Sequence, residues 1–184
     1  SAVERQFISL NETMKKQALD TEVRFETIEE VTRLLSELSN KNLYDFYALD
    51  IARFHLEAAK SYSHTGNFKA VKEQIGFLES LVNNAVSDNL KNERAPFLLE
   101  AIRIEANAWF DLFEIEKAIG MVKESIKNYS KKDIHFLKSN SALGRFYLLK
   151  GEYKAADEIL SDVERNINRS EIIQPKIHRL QGLT

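Results

Sequence analysis

An all-α fold is predicted by three features of the chain: few turn-forming residues, apolar stripes at helical spacing, and recurrence of one stripe along its length. Only 6 Gly and 2 Pro occur in 184 residues, about a third of average usage, so turns are few and the elements between them are long. Apolar residues make up 43% and charged residues 29%, the composition of a chain that folds around a core. That length suits one domain, residues 1–184. The 26 Lys and Arg against 28 Asp and Glu leave no cationic excess for phosphate contacts, so direct nucleic-acid binding is not expected. The absence of Cys removes disulfides, thiolate nucleophiles and thiolate metal sites, and it fits a cytoplasmic setting.

The elements follow in order. Helices are predicted near 2–19 and 22–39, the second carrying the stripe Ile28, Val31, Leu35, Leu38. A helix near 43–65 lines up Tyr47, Ile51, His55, Ala58, Ala59 and Tyr62 on one side. It ends at Gly66, which can take the left-handed conformation that closes one helix before the next begins. Its partner near 67–83 shows the pattern Phe68, Val71, Ile75, Leu78, Val82, alternating steps of three and four, the signature of one buried helix face. The polar stretch from Asn83 to Arg94 reads as a linker, and Pro96 then marks the first turn of a helix near 95–112, with Ile102, Ala106, Trp109 and Phe113 on its apolar side. The helix near 114–129 keeps the stripe at Ile115, Ala118, Val122 and Tyr129, and its turn must form without glycine, at Phe113-Glu114. Ser130 or Asp133 can cap a helix near 133–150 that carries Phe136, Leu143, Gly144 and Tyr147. After Gly151 the stripe returns near 152–168 as Tyr153, Ala156, Leu160, Val163, Ile167, each residue 85 positions after its counterpart. A short helix near 174–182, begun by Pro175, reads as a cap or the opening of a further unit.

The repeating unit is thus a helical hairpin, near 2–39, 43–83, 95–129 and 133–168, with stripes starting at Ile28, Phe68, Ile115 and Tyr153, spacings of 40, 47 and 38 residues. Self-similarity of this kind marks a stacked array. Small residues are expected where paired helices cross: Ala59 against Val71, Ala106 against Ala118, Gly144 against Ala156.

The string Ala142-Leu143-Gly144-Arg-Phe-Tyr147-Leu-Leu-Lys-Gly151-Glu-Tyr153-Lys-Ala-Ala156 resembles a tetratricopeptide repeat, in its order of small residue, aromatic, turn glycine, aromatic and alanine. Ala58-Ala59-Lys-Ser-Tyr62-Ser-His-Thr-Gly66-Asn-Phe68-Lys-Ala-Val71 resembles it nearly as well, and Ala106, Trp109, Ile115 and Ala118 form a degenerate copy. Residues 1–42 share the helical pattern without the motif. The repeats are longer than the family's usual one of about 34 residues, and are similar to the elongated hairpins of bacterial transcription regulators of the maltose-activator kind and of peptide-pheromone receptors. The resemblance implies a superhelical stack of antiparallel hairpins that binds a protein or peptide, as a sensor or interaction domain of a regulatory protein. No DNA-binding helix-turn-helix occurs in these residues.

No apolar run nears the roughly 18 residues a membrane span requires, and the first residues lack the form of a signal peptide. Without an initiator Met, the chain is expected to be a fragment of a longer protein. His-Glu-x-x-His, Gly-x-x-x-x-Gly-Lys and Gly-x-Ser-x-Gly are all missing, so the reading is a non-enzyme with no cofactor and no metal. His55 lies on an apolar stripe and is expected to be a packed, hydrogen-bonded core residue; His64 falls in a turn and is expected to be solvated.

In such an array the first helices of successive hairpins line a concave face. That face is expected to carry Arg53 and Lys60 in one hairpin, Arg103, Asn107 and Phe110 in the next, and Lys138, Ser141 and Arg145 in the third, with Leu56 and Leu148 beside them. Basic and amide groups there can bind a peptide's carboxylates or backbone. The plainer alternative is that these are solvated charges on exposed helices. An alternative function is a structural scaffold, including a homodimer, acting through the end faces.

Overall fold

The computed structural model describes residues 2–16, 21–40, 43, 45–127, 129–130 and 133–167, and among these all regular structure is helical. The helices are α1 (Ala2–Lys16), α2 (Thr21–Asn40), α3 (Ala48–His64), α4 (Phe68–Asn83), α5 (Asp88–Asp111), α6 (Ile115–Ile126), α7 (Ile134–Lys150) and α8 (Tyr153–Ile167). The chain divides within α5 into two compact units, residues 1–108 and 109–184. The segment predicted near 174–182, with Pro175, lies outside the described residues.

In the first unit α3 is the shared element, because its two apolar sides serve two buried clusters. Ile51, Phe54 and Ala58 join Phe7 and Met14 of α1 and Ile28, Val31, Leu34 and Leu38 of α2. Ala48, Ala52, Leu56 and Ala59 join Val71, Ile75, Leu78 and Val82 of α4 and Leu90, Phe97, Ala101 and Ile104 of α5. The expected neighbours Ala59 and Val71 fall in one cluster, both fully buried. What remains of the α3 surface is a narrow polar stripe, Asp50, Arg53, Glu57 and Lys60, at steps of three, four and three.

Two expectations along α5 and α6 are corrected. Residues Asn83–Arg94 are not a linker throughout, since α5 begins at Asp88, and Pro96 lies inside the helix instead of in its first turn. Proline there removes one backbone donor, leaving the Asn92 carbonyl without its usual partner, at a cost of about 3 kcal/mol in an ordinary helix. Leu90 and Phe97, on either side of the proline, are both buried in the same cluster, and that burial offsets the lost bond. The α6 helix stops at Ile126, so Tyr129 follows it instead of belonging to its stripe.

The second unit is built on the α7–α8 hairpin with α6 against α7. Asp133 caps α7, its carboxylate accepting from the His135 N–H at 2.7 Å. Ala118, Val122, Ala156, Val163 and Ile167 are buried, as the stripes predict. Tyr153 is not: as the first residue of α8, ahead of the helix crossing, it is 69% exposed. A Cβ built on Gly144 would meet Leu160, one turn beyond Ala156 on the same stripe, at 2.6 Å from both Cγ and Cδ2.

Three hairpin turns among the described residues share one hydrogen-bond pattern. The N–H groups of Asn67, Glu114 and Glu152 each donate to the carbonyl five residues back, on Tyr62, Trp109 and Tyr147, at 3.0, 3.0 and 2.9 Å. The preceding residues, Gly66, Phe113 and Gly151, have φ of 70°, 64° and 86°, the left-handed cap that satisfies the last carbonyls of a helix. The middle turn therefore keeps the geometry and dispenses with the glycine. For a non-glycine residue that conformation costs about 1–2 kcal/mol, and Phe113 is 89% exposed, so its ring recovers none of it by burial. Phe113→Gly is expected to stabilise the protein by up to about 1 kcal/mol after glycine's extra backbone entropy, read as a melting temperature raised by about 2–4 °C. A lower melting temperature would contradict the strain assigned to this turn.

Candidate functional site

The polar residues picked out on the first helices have different surroundings in the two units. On α3, Arg53 is exposed, its Nη1 3.7 Å from Asp50, and Lys60 is half-buried, its Nζ 2.8 Å from Glu57 and 3.3 Å from Glu100 of α5. Arg103, one turn further along α5, pairs with Glu100. Its depth departs from the expectation of a groove-facing cation: Arg103 is only 8% exposed, and burial pulls its guanidinium down to about 10, still cationic at neutral pH. Asn107 is half-buried.

Arg24 of α2 extends this set, and sequence reasoning passed over it. Its Nη2 stands 3.6 Å from Glu57 and donates to the Met14 carbonyl at 3.4 Å. The result is a ladder of alternating sign, Arg24, Glu57, Lys60, Glu100, Arg103, crossing from α2 over α3 to α5. With three cations to two carboxylates it keeps a net positive charge. An arginine near a helix start has no periodicity that would announce a buried ion pair, so its place emerges only from packing. Removing one rung would leave a partly buried carboxylate short of a partner, which is the costly way to alter such a ladder.

In the second unit, Phe110 stacks on Phe146 with ring centres 4.9 Å apart and planes 12° from parallel. The Arg145 guanidinium lies 5.6 Å from the same Phe146 ring, a cation–π arrangement. Lys138 and Arg145 are exposed, while the Ser141 hydroxyl is turned back, donating to the Leu137 carbonyl at 3.0 Å. The motif aromatics serve as platforms: Tyr62 stacks on Phe25 at 5.1 Å, Lys117 sits 3.2 Å above the Trp109 ring, and Lys123 5.1 Å from that of Tyr147. Lys150 bridges Glu116 and Glu152, and those two acceptors raise its affinity for its proton.

His55 is buried, its Nδ1 2.8 Å from Gln74 Oε1, and its ring stacks on Phe77 at 5.4 Å. Desolvation lowers its pKa, outweighing the opposite pull of the Gln74 hydrogen bond, so the ring is neutral at pH 7 and packs as a core residue. His64 is exposed. Among the described residues no three His, Asp or Glu side chains converge as metal ligands, and no helix is long and apolar enough to cross a membrane.

Comparison of the chain with protein-family models, with curated proteins and with solved structures finds no match.

Proposed function

We propose that this chain is a tetratricopeptide-like array of antiparallel helical hairpins that binds an acidic peptide or protein segment along the face formed by its first helices. One observation carries the reading: in the first unit, successive first helices are direct neighbours. Asn11 of α1 donates to the Asp50 carbonyl of α3 at 2.9 Å, and Lys60 of α3 reaches Glu100 of α5. That adjacency, with one hairpin turn repeated three times, is the arrangement in which first helices build a continuous binding surface. Arg53 is the exposed cation on a first helix of the first unit, Lys138 and Arg145 are those on the first helix of the α7–α8 hairpin in the second, and charge-assisted hydrogen bonds to carboxylates are the strongest these side chains can offer. A role as sensor or interaction domain of a regulatory protein follows from the same reading.

The test selects peptides from a random displayed library on the wild-type chain, then measures them on the triple variant Arg53→Ala, Lys138→Ala, Arg145→Ala. All three positions are exposed, so helicity should be unchanged. Acidic peptides whose affinity falls by at least about tenfold, the value of one charged hydrogen bond, support the proposal. Failure to select any peptide, or selected peptides indifferent to the three substitutions, would refute it. A concentration-dependent dimer in sedimentation, in place of peptide binding, would point to the end faces instead.

A further inference from the structure

The two hairpin turns of the second unit expose large apolar side chains that its core leaves out. Leu112 and Phe113 of the α5–α6 turn are 47% and 89% exposed, and Leu149 and Tyr153 of the α7–α8 turn 63% and 69%. The turns are neighbours, because Lys150 pairs with Glu116 at the start of α6 as well as with Glu152 beside it. Phe113 adds an observation of another kind. It holds the left-handed conformation that Gly66 and Gly151 hold in the matching turns, at a cost that glycine would not incur. The ring so placed is the most exposed large apolar side chain among the described residues. Strain kept at the surface points to a contact that the isolated chain does not make, and four such side chains on adjoining turns form a patch in place of scattered exposure.

The charges around this patch divide by turn. Asp111 and Glu114, both exposed, flank Leu112 and Phe113, while the exposed Lys154 follows Tyr153. Glu116 and Glu152 are both taken up by Lys150, and the Lys117 ammonium sits over the Trp109 ring. An apolar centre thus has an acidic half on one turn and a basic half on the other, and a two-fold rotation lays each half on its opposite in another copy. The anionic headgroups of a lipid surface would instead repel Asp111 and Glu114. We infer that these two turns are a self-association surface whose occupant is a second copy of this chain, the α5–α6 turn of each copy meeting the α7–α8 turn of the other. Two aromatic rings and two leucines from each copy bury about 1,000 Å² in all, at the weak end of specific interfaces, so the dimer is reversible, with a micromolar Kd.

Sedimentation of the full chain from about 1 to 500 µM tests this surface, and a dimer is expected to form within that range. Phe113→Asn removes the ring and keeps a residue that tolerates the left-handed cap. It should weaken the dimer by at least about tenfold, while the melting temperature of the dilute monomer does not fall. Two further variants read the charges. Asp111→Lys with Glu114→Lys makes both halves basic, and Lys154→Glu makes both halves acidic, so each protein alone should dimerise at least about tenfold more weakly than wild type. Mixed in equal amounts, the two should form a heterodimer with close to wild-type affinity, since both contacts then join opposite charges. A chain that stays monomeric throughout, including one that binds neutral lipid vesicles through Phe113 instead, overturns the proposal. So does a dimer that survives Phe113→Asn, which would use the end faces, or a mixture no more associated than its components. Arg53, Lys138 and Arg145 lie outside these turns, so the outcome is independent of peptide binding along the first helices.

Discussion

Gly144→Leu is expected to lower the melting temperature by several degrees, through overpacking that costs about 1–3 kcal/mol. Glycine within a helix is itself unfavourable by about 1 kcal/mol relative to alanine, so its presence in α7 needs a physical reason. The reason is Leu160. A Cβ at position 144 would sit 2.6 Å from Leu160 Cγ and Cδ2 and 3.4 Å from Cδ1, closer than van der Waals contact allows, and Cγ cannot retreat without moving the whole side chain. Alanine at 144 would combine a better helix propensity with this collision. Leucine adds three more carbons to the collision and brings no further propensity. The collision has a specific partner, so a double-mutant cycle isolates it: Leu160→Ala should make Gly144→Ala more favourable by about 0.5–3 kcal/mol. Purely additive effects, or an unchanged melt for Gly144→Leu, would show that the two helices do not cross here.

The position of this contact shows how far the sequence could be read. The small residue and its partner helix were both evident, since Gly144 and the stripe through Ala156 and Leu160 belong to one motif. The close approach of Leu160 was not, because a period of 3.6 identifies a face and not the level at which two faces meet. The same division holds on α5. The spacing placed Arg103 on a side shared with Lys60, and the two meet through Glu100. Its burial to 8% depends on how closely α3 and α5 approach, which no pattern within either helix encodes. Punctuation misled at Pro96, where a buried α5 tolerates a missing hydrogen bond, so that packing overrode a local preference of about 3 kcal/mol. At Phe113 the turn forms where it was expected, and its left-handed cap forms without the residue that usually signals it.

The largest effect is expected at the N-terminal hairpin, the part of the chain with the helical pattern and without the repeat motif. Phe7→Ala should destabilise the first unit by about 3–5 kcal/mol, the usual result of removing a buried aromatic side chain. Phe7 is fully buried. It belongs to one cluster with Ile28, Val31, Leu34 and Leu38 of α2 and Ile51 and Phe54 of α3, and its ring meets Tyr47 edge-on at 6.0 Å. The bond from Asn11 to the Asp50 carbonyl then holds α1 against the start of α3. These contacts make α1 a wall of the core it shares with α2 and α3, and α3 carries the second core with α4 and α5 on its other side, so the loss should propagate. In a denaturant titration the whole helical signal of the first unit should shift to lower concentration as one transition. Ile8→Ala is the internal control: its neighbour in sequence points outward, 44% exposed, and should change stability by no more than about 0.5 kcal/mol. If Phe7→Ala instead released only a fraction of the helicity and left the main midpoint in place, α1 would be an appendage. The α3 core would then close without it.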